Sequence, residues 1–396
     1  MNITQVKDIL GRKFRGSSLD DVQGITNYSI FEEAASNLLS GLDPQETVRR
    51  GELNLYDQVY DYGLTTTAPD LKGKKIIDLR PQANRDPSDD FRQTFIEDFD
   101  RDKDFEDNWF SVEFDEATKF LRVDKTVGNS IAITDLESGN YTAGTGVSNI
   151  TEDTIIHFGQ SKSIEFDVSS GSNLLTWSGT AADLTSHELK SSWFLPIYLP
   201  DSSIISSVTV RVGSSASDYY EVTGAIHFGS IRDGHNLYRF DWDGATETGT
   251  FDEDSVDYVR LSITTTGADT DIRIGLLESK LPTPYEAVYY SNAVFRSSAG
   301  TWLTKPTADT DDVVLESEAQ NIFIYECCVL IAEGLQYEAE AQKFYTHLHG
   351  DAQKPGLYDE YMRDKPAEAI RPQSYYYRVP NRNRSGGYRD WKPTKN

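Results

Sequence analysis

The stretch Ser206-Ser-Val-Thr-Val-Arg-Val-Gly-Ser-Ser215 decides the fold. Val208, Val210 and Val212 recur at every second position, with Thr209 and Arg211 between them. A period of two is the period of a strand, and an apolar set alternating with a polar set means one face buried and one solvated. Val259, Leu261 and Ile263 repeat the pattern, as do Ile272 and Ile274. Similar runs at 109–114, 120–123, 163–168, 192–199, 219–222 and 237–242 are separated by Gly, Ser and Asp turns. Short strands at this spacing predict an antiparallel β-sandwich of jelly-roll type.

Outward from this region the period changes. Ile30, Phe31, Ala34, Ala35, Leu38, Leu39 and Leu42 recur at helical spacing. Asp43-Pro44, with Glu46 in the first turn, reads as the start of another helix running toward Leu53, Leu55, Val59 and Tyr60. On the far side of the β region, Phe323, Ile324, Cys327, Cys328, Ile331 and Leu335 form an apolar helical stripe. The expected fold is therefore α+β and multidomain: a helical bundle built from both chain ends, with the sandwich inserted. The expected boundaries are a helical part at 1–63, a connector at 64–107 with one strand near 75–79, the sandwich at 108–280, a return linker at 281–312, helices at 313–365 packing with the N-terminal part, and an extended basic arm at 366–396.

The net charge of −26 over 396 residues disfavours general nucleic-acid and membrane binding, because a negative field repels phosphate. No apolar run is long enough to span a bilayer. Two adjacent cysteines cannot make a disulfide framework and read as buried free thiols. The exception to the acidity is the arm, where Arg371, Arg378, Arg382, Arg384 and Arg389 interleave with Tyr375, Tyr376, Tyr377 and Trp391. The arm has two readings: a free arm, or, because cations steer and aromatics anchor, a docking element for an acidic neighbouring subunit or confined nucleic acid.

Motifs that carry chemistry are sparse. The run from Asp98 to Asp104 lacks the Gly and Glu of a calcium loop. Asp241, Asp243 and Asp271 at strand ends are the candidates for a structural calcium, the one cofactor considered; turn chemistry explains the same residues. His347 and His349 lie two apart and would point to different helix faces. No catalytic constellation emerges, so the chain reads as a non-enzyme. Among the sandwich aromatics, Tyr219, Tyr220 and Tyr238 are the candidates for stacking on sugar rings, with core packing as the competing role. Adjacent Tyr219 and Tyr220 must point to opposite faces.

Three sets of segments resemble tailed-virus (phage) virion proteins encoded near the portal: SIFEEAASNLLSGLDPQETVRR with LYDQVYDY; KKIIDLRPQ; and WFLPIYLPD, SSVTVRVGSS, LYRFDW and SVDYVRLSI, which look like a carbohydrate-binding-module-type jelly roll. The resemblance implies a structural subunit of the virion: a head–tail connector (adaptor) forming a homo-oligomeric ring, with the arm docking on portal, tail or neck proteins or near packaged DNA. The large β insertion departs from a minimal adaptor. It implies the alternative, a carbohydrate-binding adhesin or appendage at neck, baseplate or capsid that contacts host surface glycans.

Overall fold

The computed structural model describes residues 1–14, 23–82, 92–93, 109–115, 118–123 and 127–364. The arm and the run from Asp98 to Asp104 lie outside the described residues.

The chain divides into two compact units. Unit 1 holds residues 1–50, 70–77 and 288 onward; unit 2 holds 51–69 and 78–287. The helices are α1 (Ile3–Lys13), α2 (Gln23–Thr26), α3 (Ser29–Gly41), α4 (Ser317–Gly334), α5 (Glu338–His349) and α6 (Leu357–Asp364). The strands are β1 (Val48–Leu55), β2 (Asp61–Gly63), β3 (Leu71–Pro81), β4 (Arg92–Gln93), β5 (Trp109–Asp115), β6 (Thr118–Val123), β7 (Ser130–Ala132), β8 (Tyr141–Ala143), β9 (Val147–Asp153), β10 (Ser163–Val168), β11 (Gly171–Ala182), β12 (Ser192–Leu199), β13 (Ile205–Gly213), β14 (Tyr219–Thr223), β15 (Ala225–Ile226), β16 (Gly234–Asp241), β17 (Thr246–Thr248), β18 (Val256–Thr265), β19 (Asp269–Ile274), β20 (Glu278–Lys280), β21 (Thr283–Ser291), β22 (Phe295–Arg296), β23 (Trp302–Leu303) and β24 (Asp312–Val313).

Unit 2 contains the sandwich. One sheet runs β15-β16-β12-β19-β10-β9, with β20 paired to β12 and β7 to β20; the other runs β17-β14-β13-β18-β11-β8. Both are antiparallel. Val208, Val210, Val212, Val259, Leu261 and Ile263 from one sheet meet Ile164, Leu195, Ile197, Ile272 and Ile274 from the other in a single core. Trp177, Trp193 and Trp242 are fully buried there. The alternation read from Ser206 to Ser215 is the alternation of this core.

In unit 1 the hydrophobic core draws on α1, α3, α4 and residues of α5 and α6. Helix α1 starts in a capping box, Asn2 accepting from the Gln5 N–H while the Gln5 side chain accepts from Asn2 N–H, and ends on Arg12 and Lys13. Its start is fastened to 309–313 by the Lys7–Asp309 ion pair at 2.6 Å and by the Ile3 N–H donating to the Asp311 carbonyl at 3.0 Å. Phe31 of α3 faces Phe323 of α4 at 6.5 Å, and Phe323 faces Phe295 at 5.9 Å. Cys327 and Cys328 are buried free thiols, and burial pushes both thiol pKa values up. Glu326 is only 6% exposed and accepts from the Tyr358 hydroxyl at 2.9 Å and the Asn37 amide at 3.4 Å. Burial and this carboxylate push the Tyr358 hydroxyl pKa up. Tyr358→Phe is expected to strip the better donor from a buried carboxylate and cost about 1.5 kcal/mol, measured as a lower denaturant midpoint with unchanged slope. An unchanged midpoint would show that water replaces the hydroxyl.

Two expectations are corrected. The helix expected after Pro44 is one short 3-10 turn, Gln45–Thr47, followed by strand β1. Leu53 and Leu55 are buried and alternate with exposed Glu52 and Asn54, a period of two that the short window concealed. A Cβ on Gly51 would sit 1.8 Å from the Thr67 carbonyl oxygen, so the backbones approach too closely for a side chain there. The expected return linker contains β21, the middle strand of the sheet β1-β21-β3, and then the small sheet of β22, β23 and β24. Among the described residues no helix is long and apolar enough to cross a membrane.

Candidate functional site

Strand β12 builds the site through its alternation. Trp193, Leu195, Ile197 and Leu199 enter the core. The residues between them, Ser192, Phe194, Pro196 and Tyr198, must point to the outer face of the sheet. At the Ser192 end this outer face is covered. Tyr56 packs on Phe194 at 4.9 Å, and His227 packs edge-on against Tyr56, Tyr62 and Phe194 at 6.3, 5.4 and 5.3 Å. Tyr62 donates to the Val59 carbonyl at 2.9 Å, and Arg239 lies over the Tyr56 ring at 5.2 Å. Burial, then the Arg239 charge, lowers the His227 pKa to about 4.

At the Leu199 end the face is open. Tyr198 stands opposite His235 of β16 on one side and Arg273 of β19 on the other. Arg273 stands opposite Glu165 of β10, and Glu165 opposite Thr151 of β9. One row, His235–Tyr198–Arg273–Glu165–Thr151, thus crosses five neighbouring strands, about 19 Å at normal strand spacing. Its aromatic end is a cluster: Tyr198 and His235 meet at 5.3 Å and 75°, and Phe158 meets His235 at 5.2 Å and 90°. Phe158 reaches this place because position 275 is glycine, where a Cβ would lie 2.9 Å from the Phe158 ring. His235 is exposed, and Tyr198 and Phe158 are half-buried. Ile155, in the same β9–β10 loop, is 87% exposed. Burial, then Arg232, lowers the His235 pKa, so the imidazole is neutral at pH 7.

Arg273 is held at 2.5 Å from Asp153 and 2.6 Å from Glu165, and lies over the Tyr198 ring at 5.4 Å. Burial raises the Asp153 carboxyl pKa, but the Ile155 N–H and the Arg273 guanidinium outweigh it and hold that pKa low. One cation between two carboxylates leaves the row net negative. Asp167, which accepts from the Asp271 N–H at 3.2 Å, adds to that field.

The residues chosen from sequence fare differently. Tyr220 and Tyr238 are 8% and 4% exposed, packed in the sandwich core, and present no ring to a ligand. Register explains both: Tyr220 stands opposite inward-facing Val212, and Tyr238 alternates in phase with Phe240. Tyr219 points outward on the other sheet, half-buried beneath the Arg211 guanidinium at 4.4 Å. Asp241 and Asp271 are not brought together: Asp241 stands opposite Ser192 at one end of β12, whereas Asp271 lies beyond the other end, about 25 Å away along the strand. Asp241 is committed to Arg239 at 2.6 Å and Ser192 at 2.7 Å. Among the described residues no group of three His, Cys, Asp or Glu is placed to hold a metal ion. The arm residues Arg371 to Trp391 lie outside the described residues. Sequence reasoning missed Tyr198, His235, Phe158 and Arg273; the one available signal was the out-of-phase set Phe194, Pro196, Tyr198 within an apolar run.

His187 Nδ1 lies 3.0 Å from the Ser279 hydroxyl, itself 2.7 Å from that of Ser191. All three residues are buried, so no substrate reaches them.

No family model matches the chain, and no curated protein matches its sequence. Solved structures similar to it include the family 30 carbohydrate-binding module of a cellulosomal cellulase from Clostridium thermocellum (11% identity, TM-score 0.31, 38% of this chain and 96% of that one). They also include the family 11 carbohydrate-binding module of Clostridium thermocellum, in complex with a β-1,3-1,4-mixed-linked tetrasaccharide (10%, 0.29, 39% and 96%). A third is a carbohydrate-binding module of the β-sandwich superfamily (10%, 0.28, 58% and 97%).

Proposed function

We propose that this chain binds an uncharged oligosaccharide on the open outer face of its sandwich. The observation that carries the reading is the row His235–Tyr198–Arg273–Glu165–Thr151, with accessible aromatic rings at one end and paired polar groups along the rest. Sugars present apolar ring faces edged by hydroxyls. Rings of Tyr198, Phe158 and His235 suit the faces, and the carboxylates of Asp153 and Glu165 accept from hydroxyls. The row is long enough for several sugar units. Its net negative field disfavours uronates, sialosides and sulfated glycans. The segment around Tyr56 closes the Ser192 half of the face and confines a ligand to the Leu199 half.

Calorimetric titration against a panel of neutral oligosaccharides, with uronic-acid and sulfated chains of equal length beside them, tests this. Binding within the neutral set that strengthens with chain length supports the reading; silence across the panel at millimolar ligand removes it. This appendage reading takes precedence over a head–tail connector because it rests on placed residues, whereas the connector rests on layout and on an arm outside the described residues. Mass measurement with and without residues 371–396 tests the connector: a ring that forms only with the arm would restore it.

A further inference from the structure

Unit 1 carries a surface that its core does not use. On α5, Glu338, Gln342, Tyr345 and His349 share one helical face, at spacings of four, three and four residues. Tyr345 is 50% exposed and meets the His349 ring at 4.3 Å, tilted by 40°; His349 in turn stacks on Tyr358 of α6 at 5.2 Å and 11°. Met362, one turn beyond Tyr358, is 59% exposed. The aromatic strip therefore runs across α5 onto α6 and stops just before α6 ends at Asp364. The helical segment that carries it is acidic: from Glu316 to Asp364 the sequence holds ten carboxylates, of which Glu326 is buried, and three cations. The chain that follows has the opposite character, with seven cations and one acid over residues 371–396 and aromatics at Tyr375, Tyr376, Tyr377, Tyr388 and Trp391.

We propose that this strip is the docking site for the chain's own basic C-terminal segment, residues 365–396. Three observations converge. The charges are complementary in sign and similar in size. Exposed Tyr rings accept arginine guanidinium groups by cation–π contact, a geometry unit 1 already uses where Arg49 lies 3.4 Å over the Trp302 ring. The segment begins at the strip itself, so its effective concentration there is millimolar, far above that of a second copy in dilute solution. Docking in this way neutralises the acidic helical surface and occupies a segment otherwise available to nucleic acid or a partner.

Trypsin cleavage after Arg378, Arg382, Arg384 and Arg389 in the full chain reads the docked state. The expected result is cleavage slowed about tenfold at low salt relative to 0.5 M salt, since docking worth about 1.4 kcal/mol is lost on screening. Trypsin's own salt response is corrected with an unrelated unfolded substrate. The surface variants Tyr345→Ser and Met362→Ser are expected to abolish the protection at low salt; both side chains are exposed, so folding is retained, as circular dichroism would confirm. Cleavage rates equal in all conditions would overturn the proposal. Protection that disappears on dilution would also overturn it, assigning the strip to the arm of a second copy. This test is independent of glycan binding by unit 2.

Discussion

Tyr198→Ala is expected to weaken glycan binding about 30-fold or more. The ring is the centre of the open face, with His235 at 5.3 Å on one side and the Arg273 guanidinium at 5.4 Å on the other. Its removal takes away the stacking surface and uncovers Arg273 to solvent, so both the apolar contact and the geometry of the Asp153–Arg273–Glu165 group loosen. A central aromatic anchor is worth about 2 kcal/mol or more, which sets the fold-change. Stability is expected to move far less, because Tyr198 is on the outer face and the core residues Ile197 and Leu199 remain. Calorimetry with the best neutral ligand reads affinity, and thermal unfolding reads stability. Affinity unchanged within threefold would place the ligand elsewhere. Tyr219→Ala, on the other sheet, serves as the control that leaves binding intact.

The second large effect is acid lability centred on His227. Burial and the Arg239 charge lower its pKa to about 4 in the folded chain, against about 6.5 unfolded. A base whose pKa falls on folding contributes its full stability above the unfolded value and loses it as pH drops toward the folded value. Unit 2 is therefore expected to lose about 3 kcal/mol between pH 6.5 and pH 4, as the unfolded imidazole takes up a proton that the folded one refuses. The groups around it explain why. Tyr56, Tyr62 and Phe194 offer ring faces and edges, Arg239 repels a second cation, and the carboxylates of Asp61 and Asp241 only partly offset it. His227→Phe keeps a flat ring in the pocket and removes the titration. The difference in unfolding free energy between the two proteins should grow as pH falls across this window. A difference independent of pH would mean that His227 titrates normally. Asp153 and Asp218 also carry lowered pKa values, but they contribute equally to both proteins and cancel.

The period of the apolar residues was enough to place most strands and helices, because a strand or helix must turn one face to a core whatever lies across it. Thus Val208, Val210 and Val212 faced inward from the sequence alone. Where two periods overlapped in a short window, as from Pro44 to Tyr60, sequence favoured a helix. The backbone approach of Gly51 to Thr67 and the pairing of β1 with β21 decided for a strand.

The candidate site lay beyond the reach of periodicity. His235, Tyr198, Arg273, Glu165 and Thr151 are scattered from position 151 to position 273 of the sequence. They become one row only through the registers of four strand pairings. Register fixes which outward residues are neighbours, and a single sequence does not contain it. The same holds for accessibility. Sequence determined that Tyr219 and Tyr220 face opposite ways, that the two cysteines form no framework, and that the C-terminal segment is basic within an acidic chain. Only the packing of the two sheets decided that Tyr220 and Tyr238 fill the core. Only the segment folded over Phe194 decided that one half of the outer face is closed and the half around Tyr198 is left to meet a ligand.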